Sequence, residues 1–221
     1  GINRPPGTTC TRWTRATSAD TTAHNRDLTG TFPNGTRWDL YTRTCGTTHQ
    51  YAQVPRTTPD DILPILLQRF QQELLPQPQP GTSPTPDHAI VTLPTWFWTN
   101  PTTWQPITAQ AGTPNLTITA TATPTQLHFN PGDGTTPTTC TGPGHIWTPT
   151  DGDTTHSTCE HTYQHASTTN PTGTYPATLT IEWDITWTAT NGQTGTLDPL
   201  NTTTNLTITV HELQALIINQ P

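Results

Sequence analysis

Four histidines crowd one stretch of this chain: His145, His156, His161 and His165, with Asp151, Asp153 and Glu160 among them. These are residue types that hold metal ions. His161 and His165, four apart, would face one side of a helix and could share a zinc. The segment around them reads as strand or loop, where that spacing breaks the geometry, so no metal centre is expected. Asp151-Gly152-Asp153 has the beginnings of a calcium loop, but the other ligand positions of an EF-hand are missing. Calcium is the one ion this stretch would suit, and otherwise no cofactor is expected. Glu182 and Asp184, two apart, have the residue types of a glycosidase pair. An exposed solubilising stripe on the wet face of a strand is the simpler account.

Other chemistries lack their groups. There is no Gly-x-Ser-x-Gly turn, and Ser occurs only four times, so acyl transfer has no nucleophile motif. The chain contains no Lys, which excludes a Gly-rich, Lys-ending phosphate loop. The expectation is a protein that is not an enzyme. Nucleic acid is set aside as well. All eight Arg lie at or before Arg69, where five acids leave a net charge of +3, and the remainder carries ten acids and no basic side chain. A nucleic-acid binder needs a basic patch on its folded domain. The asymmetry would instead favour head-to-tail contact between subunits.

The elements that must position these groups are strands. Residues 175–189 alternate strictly: Tyr175, Ala177, Leu179, Ile181, Trp183, Ile185, Trp187 and Ala189 are apolar, and Thr, Glu or Asp fill most positions between. A period of two over this length predicts one long strand with a buried and a wet face. Asn191-Gly192 predicts a tight hairpin, and Leu206, Ile208 and Val210 mark the returning strand. Leu116, Ile118, Ala120 and Ala122 alternate with Thr in the same way, until Pro124 interrupts and Leu127-His128-Phe129 resumes. Thr makes up about a quarter of the chain. Its branched Cβ suits strands and disfavours helices. The one convincing helix spans 61–75, capped by Asp60 or Asp61, with Pro64 in its first turn if Asp61 is the cap. Leu63, Leu66, Leu67, Phe70 and Leu74 form its apolar stripe, Ile62 and Ile65 widen it, and Pro76 ends it. Thr36–Thr44 and His49–Val54 pair as a hairpin near Cys45-Gly46. The tail from His211 through Leu213, Leu216, Ile217 and Ile218 is either helical or extended.

Four cysteines, Cys10, Cys45, Cys140 and Cys159, do not match zinc spacings. Two disulfides are expected, as in secreted proteins. The pairing Cys10–Cys45 and Cys140–Cys159 keeps each bridge local, and two other pairings remain open. The first residue is Gly1 rather than Met, which suits a processed secreted protein or a trimmed chain. No apolar run is long enough to cross a membrane. These features divide the chain into 1–57, a small disulfide-closed β region; 58–87, the helix and a stiff Pro-rich connector; and 88–221, a β-sandwich with a lead-in strand and a C-terminal extension. Trp96 and Trp98 share one face of an extended segment. With Trp104 they form either a platform for sugar rings or core filling.

Three pieces in order resemble the polycystic kidney disease (PKD) domain family: Leu127-His128-Phe129-Asn130-Pro131-Gly132-Asp133-Gly134, then Cys159-Glu160-His161-Thr162-Tyr163, then Gly173-Thr174-Tyr175-Pro176-Ala177-Thr178-Leu179-Thr180-Ile181. The likeness covers about residues 110–212. It departs from the family in the long Cys-closed insertion between Gly134 and His161 and in the length of the last hairpin. The whole chain is similar to secreted PKD-like proteins of actinobacteria, a group with no activity to carry over. The resemblance implies a mainly β, immunoglobulin-like sandwich, in which Gly132, Asp133, Gly134, His161, Tyr163 and Tyr175 have structural roles.

The expectation for function is therefore a non-catalytic, extracellular structural or adhesive protein. It would be a subunit of a cell-surface fibre or pilus-like assembly, contacting itself in a homo-oligomer or filament. Dense Thr and Pro suit O-glycosylation, and Asn34, Asn115, Asn201 and Asn205 begin N-x-Thr sequons. The alternative is a carbohydrate-binding accessory module of a secreted system, with Trp96, Trp98 or Trp104 as its platform.

Overall fold

Alternation governs the largest sheet. A computed structural model describes residues 9–20, 26–113, 115–152 and 155–213. It divides the chain into two compact units, 1–58 and 59–221. Secondary structure is mainly β, with the sheets in a sandwich-like arrangement.

In the N-terminal unit, β1 (Thr14–Arg15), β2 (Thr29–Thr31), β3 (Arg37–Cys45) and β4 (Thr48–Pro55) form one antiparallel sheet around β3. β3 and β4 are the expected hairpin, in register from Trp38↔Pro55 to Cys45↔Thr48. Trp38, Leu40 and Ala16 are its buried core, with Leu28, Phe32 and Tyr51 packed around them. So small a core is stapled by the Cys10–Cys45 disulfide.

The C-terminal unit opens with helix α1 (Pro59–Arg69), which passes into a π-helical turn at Phe70–Leu74. The helix starts two residues before the expected 61, so Pro64 is its sixth residue and lies inside it. Its stripe also differs at the edges: Ile62, Leu63, Leu66 and Phe70 are buried, Leu67 and Leu74 only partly so, and Ile65 is 59% exposed. β5 (Pro80–Ser83), β6 (Ala89–Ile90), β7 (Pro94–Thr99), β8 (Ile107–Thr113), β9 (Leu116–Asn130), β10 (Thr138–Thr141), β11 (Glu160–Thr162), β12 (Tyr175–Ala189), β13 (Thr194–Ile208) and β14 (Val210–His211) follow.

Two sheets make the layers. One has the order β10-β9-β12-β13, with β8 also on β9; the other is β11-β7-β5. On β12, Tyr175, Ala177, Leu179, Ile181, Trp183, Ile185 and Ala189 are buried, as the period of two requires. Phe97 of β7 stacks on Phe129 of β9 with ring centroids 4.7 Å apart, joining the layers. Cys140 on β10 and Cys159 beside β11 form the second disulfide, which ties the two sheets covalently. Helix α1 packs against β8 and β9.

Two strand expectations change. β9 runs unbroken through Pro124, because the outer side of β9 has no partner there. β8 pairs as far as Ala122 and β10 resumes at Gln126, so no ladder bond needs the missing N–H. The returning strand does not continue to Val210. β13 stops at Ile208, the Thr209 amide donates to Pro86 O, and Val210–His211 pairs in parallel with β6 in a separate two-stranded sheet. Leu216, Ile217 and Ile218 lie outside the described residues.

Phe129→Ala should destabilise the protein by about 3–5 kcal/mol, since it empties the contact between the layers. Replacing Cys140 and Cys159 together with Ser should cost about 3 kcal/mol for a loop of this length. Urea unfolding of the full chain measures both, and an effect below about 1 kcal/mol at Phe129 would contradict the packing described.

Candidate functional site

The residues with chemical potential gather at two places in the C-terminal unit: a polar corner and a groove. The corner follows β9. Asn130 Oδ1 accepts from the Gly132 amide, and Asp133 Oδ1 accepts from the Thr135 amide and hydroxyl. Gly132 has φ of +76°, and a Cβ there would collide with the Pro176 backbone, so only glycine fits. Asp133 Oδ2 lies 3.1 Å from His161 Nε2 of β11, with both side chains largely buried. The His161 ring meets the Tyr163 ring edge-on at 4.7 Å, and Tyr163 stacks on Tyr175 at 5.6 Å. Both phenols donate to backbone carbonyls, Tyr163 to Pro131 and Tyr175 to His165 and Ala166. Burial favours the neutral acid at Asp133, but bonds from Thr135 and His161 outweigh it and hold the carboxyl below its usual range. Burial pushes the Tyr163 hydroxyl well up, reinforced by the neighbouring Asp133 and Tyr175. Asp133, His161 and Tyr163 hold the β9–β10 turn to β11, and Tyr175 ties the start of β12 to residues 165–166.

The other histidines do not converge. His145 pairs with Asp151 at 3.0 Å, His156 with Glu160 at 3.0 Å, and His128 with Glu182 at 3.4 Å. Asp153 lies outside the described residues. Among those described, no three His, Cys, Asp or Glu side chains gather as a metal ion would need. Glu182 and Asp184 lie on the wet face of β12, Glu182 half-buried and Asp184 exposed.

The groove forms where the disulfide-closed segment meets β7. Phe97 faces the core, so Trp96 and Trp98 point to the other side of β7. Trp98 lies across Gly81 of β5 and is half-buried. Trp96 is only 5% exposed, with its ring 5.6 Å from that of His145. Trp104 is half-buried against the main core. Trp96 contributes an edge to a groove of about 360 Å³ whose apolar wall includes Pro84, Leu93, Pro94 and Trp147. Ser83, Thr155 and His156 supply its polar groups. A volume of this order takes one small ring or one large side chain. Among the described residues no hydrogen bond links Ser83 to His156, whose Nδ1 is 3.0 Å from Glu160. Trp147 and Leu93 were not legible as site residues. Trp147 lies in irregular chain, where periodicity has nothing to report.

No protein-family model matches the sequence, and no curated protein or solved structure is similar enough to count as a relative.

Asp133 has a depressed folded value, so its contribution to stability is fully present above the unfolded value of about 3.9. That contribution is lost as pH falls through the lower folded value. Asp133→Asn should lower stability at neutral pH by about 1–3 kcal/mol and flatten the acid limb of stability against pH. Urea midpoints measured across acid pH would show it; an unchanged acid limb in the variant would remove the carboxylate from the account.

Proposed function

We propose that this chain is a non-catalytic extracellular structural or adhesive protein, a subunit of a cell-surface fibre or pilus-like assembly that acts through protein–protein contacts. Its C-terminal unit is, on this reading, a PKD-type immunoglobulin-like sandwich. The observation that supports it is the outer edge of β13. Thirteen of its fifteen residues pair with β12 on one side, and no strand among the described residues pairs on the other. A long edge with unused N–H and C=O groups is a template for strand addition by another chain. Two disulfides suit an oxidising, extracellular setting. Among the described residues no helix is long and apolar enough to cross a membrane. Asn34, Asn115, Asn201 and Asn205 are all exposed, so a host that glycosylates sequons could decorate them. Light scattering of the native protein over a range of concentrations should show a mass that rises above the monomer, and negative-stain micrographs should show linear assemblies. A strict monomer at high concentration would defeat this reading.

The groove supports a second reading, a carbohydrate-binding accessory module. Trp147 would hold a sugar ring, with only the edge of Trp96 behind it, while Ser83, Thr155 and His156 bond its hydroxyls. A glycan array should then give saturable binding that Trp147→Ala lowers by about tenfold or more, in line with loss of an aromatic contact. Binding that is absent, or indifferent to Trp147, would exclude the groove.

A further inference from the structure

The two units carry opposite charge. Residues 1–58 hold seven Arg against three Asp, +4, and residues 59–221 hold one Arg against twelve acids, −11, together the −7 of the chain. The N-terminal unit concentrates its charge on one sheet face. On β3 the even positions Trp38, Leu40 and Thr42 are buried, so Arg37, Asp39, Tyr41 and Arg43 share the other side. Arg15 of β1 lies opposite Tyr41 and joins them. Asp39 accepts from Arg56 at 2.6 Å and Arg15 at 2.9 Å, which leaves Arg37 exposed on the same face. The Arg43 guanidinium lies 4.6 Å over the ring of Trp13, and Trp13 is 39% exposed. Four arginines, one carboxylate and a tryptophan give this face of the N-terminal unit the composition of an interface centre.

We propose that this arginine face docks on the β13 edge of a second copy of the chain, so that copies join head to tail. The proposal rests on the protein-contact reading above and names its surfaces. Charge complementarity selects the occupant. On the β12–β13 ladder the register shifts between Trp183 and Ile185, and Asp184 and Asp198 are both exposed at that irregularity. The only Arg of that unit, Arg69, lies 3.5 Å from Glu73. Asp198 at the β13 edge, with Asp184 beside it on β12, matches the exposed Arg37 of that face, through charge-assisted bonds to carboxylates. The two surfaces differ, so the contact is heterologous, and copies extend into a ring or an open filament rather than closing as a two-fold dimer.

Sedimentation velocity of the full chain tests this at low ionic strength and at ~1 M salt, where the screening length falls to about 3 Å. The weight-average mass should rise with concentration at low salt and return to the monomer at high salt. Arg37→Glu and Asp198→Arg, both at exposed positions, should each weaken association by about tenfold or more. Association that ignores salt and both substitutions would overturn the pairing proposed here while leaving the protein-contact reading intact. A wild-type monomer at every concentration in both buffers would overturn both.

Discussion

The inner face of β12 is the surface on which the C-terminal unit depends. Seven of its side chains are buried, and a strand with one apolar face of this length must be covered on that side and flanked on both edges. β9 and β13 flank it, while β7 and its neighbours supply the opposing layer. Trp183 is the largest fully buried side chain in the described chain. It lies where both ladders slip, between Glu182 and Trp183 against β9 and between Trp183 and Ile185 against β13. Bulges bend and twist a strand, and here they accommodate the indole. Its N–H donates to the Thr202 hydroxyl at 3.0 Å, so no donor is buried unpaired.

Charge is scarce, and the structure uses it locally. Asp39 gathers Arg15 and Arg56 in one unit; Asp133 gathers Thr135 and His161 in the other. Solubility falls to hydroxyls. Thr108 with Thr121 and Thr180 with Thr203 bond across neighbouring strands on the wet face. Such pairs give a polar surface that adds cross-strand support without carrying charge. The uneven placement of the remaining charges therefore stands out against a nearly neutral surface.

The disulfide between Cys140 and Cys159 has a second consequence. It closes a segment that has little regular structure and brings Trp147 and His145 against β7. Trp96, which faces away from the core, is covered in this way rather than presented to solvent. The groove is thus a product of a covalent closure and a strand face, and neither alone would form it.

The sequence by itself determined the strands, because period-two patterning is a local property that survives any packing. It also determined the β3–β4 hairpin, the Asn191-Gly192 turn and the presence of the helix, since turn chemistry and an apolar helical stripe act over a few residues. Its start at Pro59 was not legible, because Pro64 in the sequence points to a first-turn proline and the structure places it in the second turn. The passage of β9 through Pro124 and the departure of Val210 to a separate sheet were likewise hidden. Both depend on which strand lies alongside, and that neighbour is distant in sequence. The pairing of Asp133 with His161, the burial of Trp96 and the grouping of four arginines on one face were decided only by the tertiary structure, because strand register and loop closure set which side chains meet.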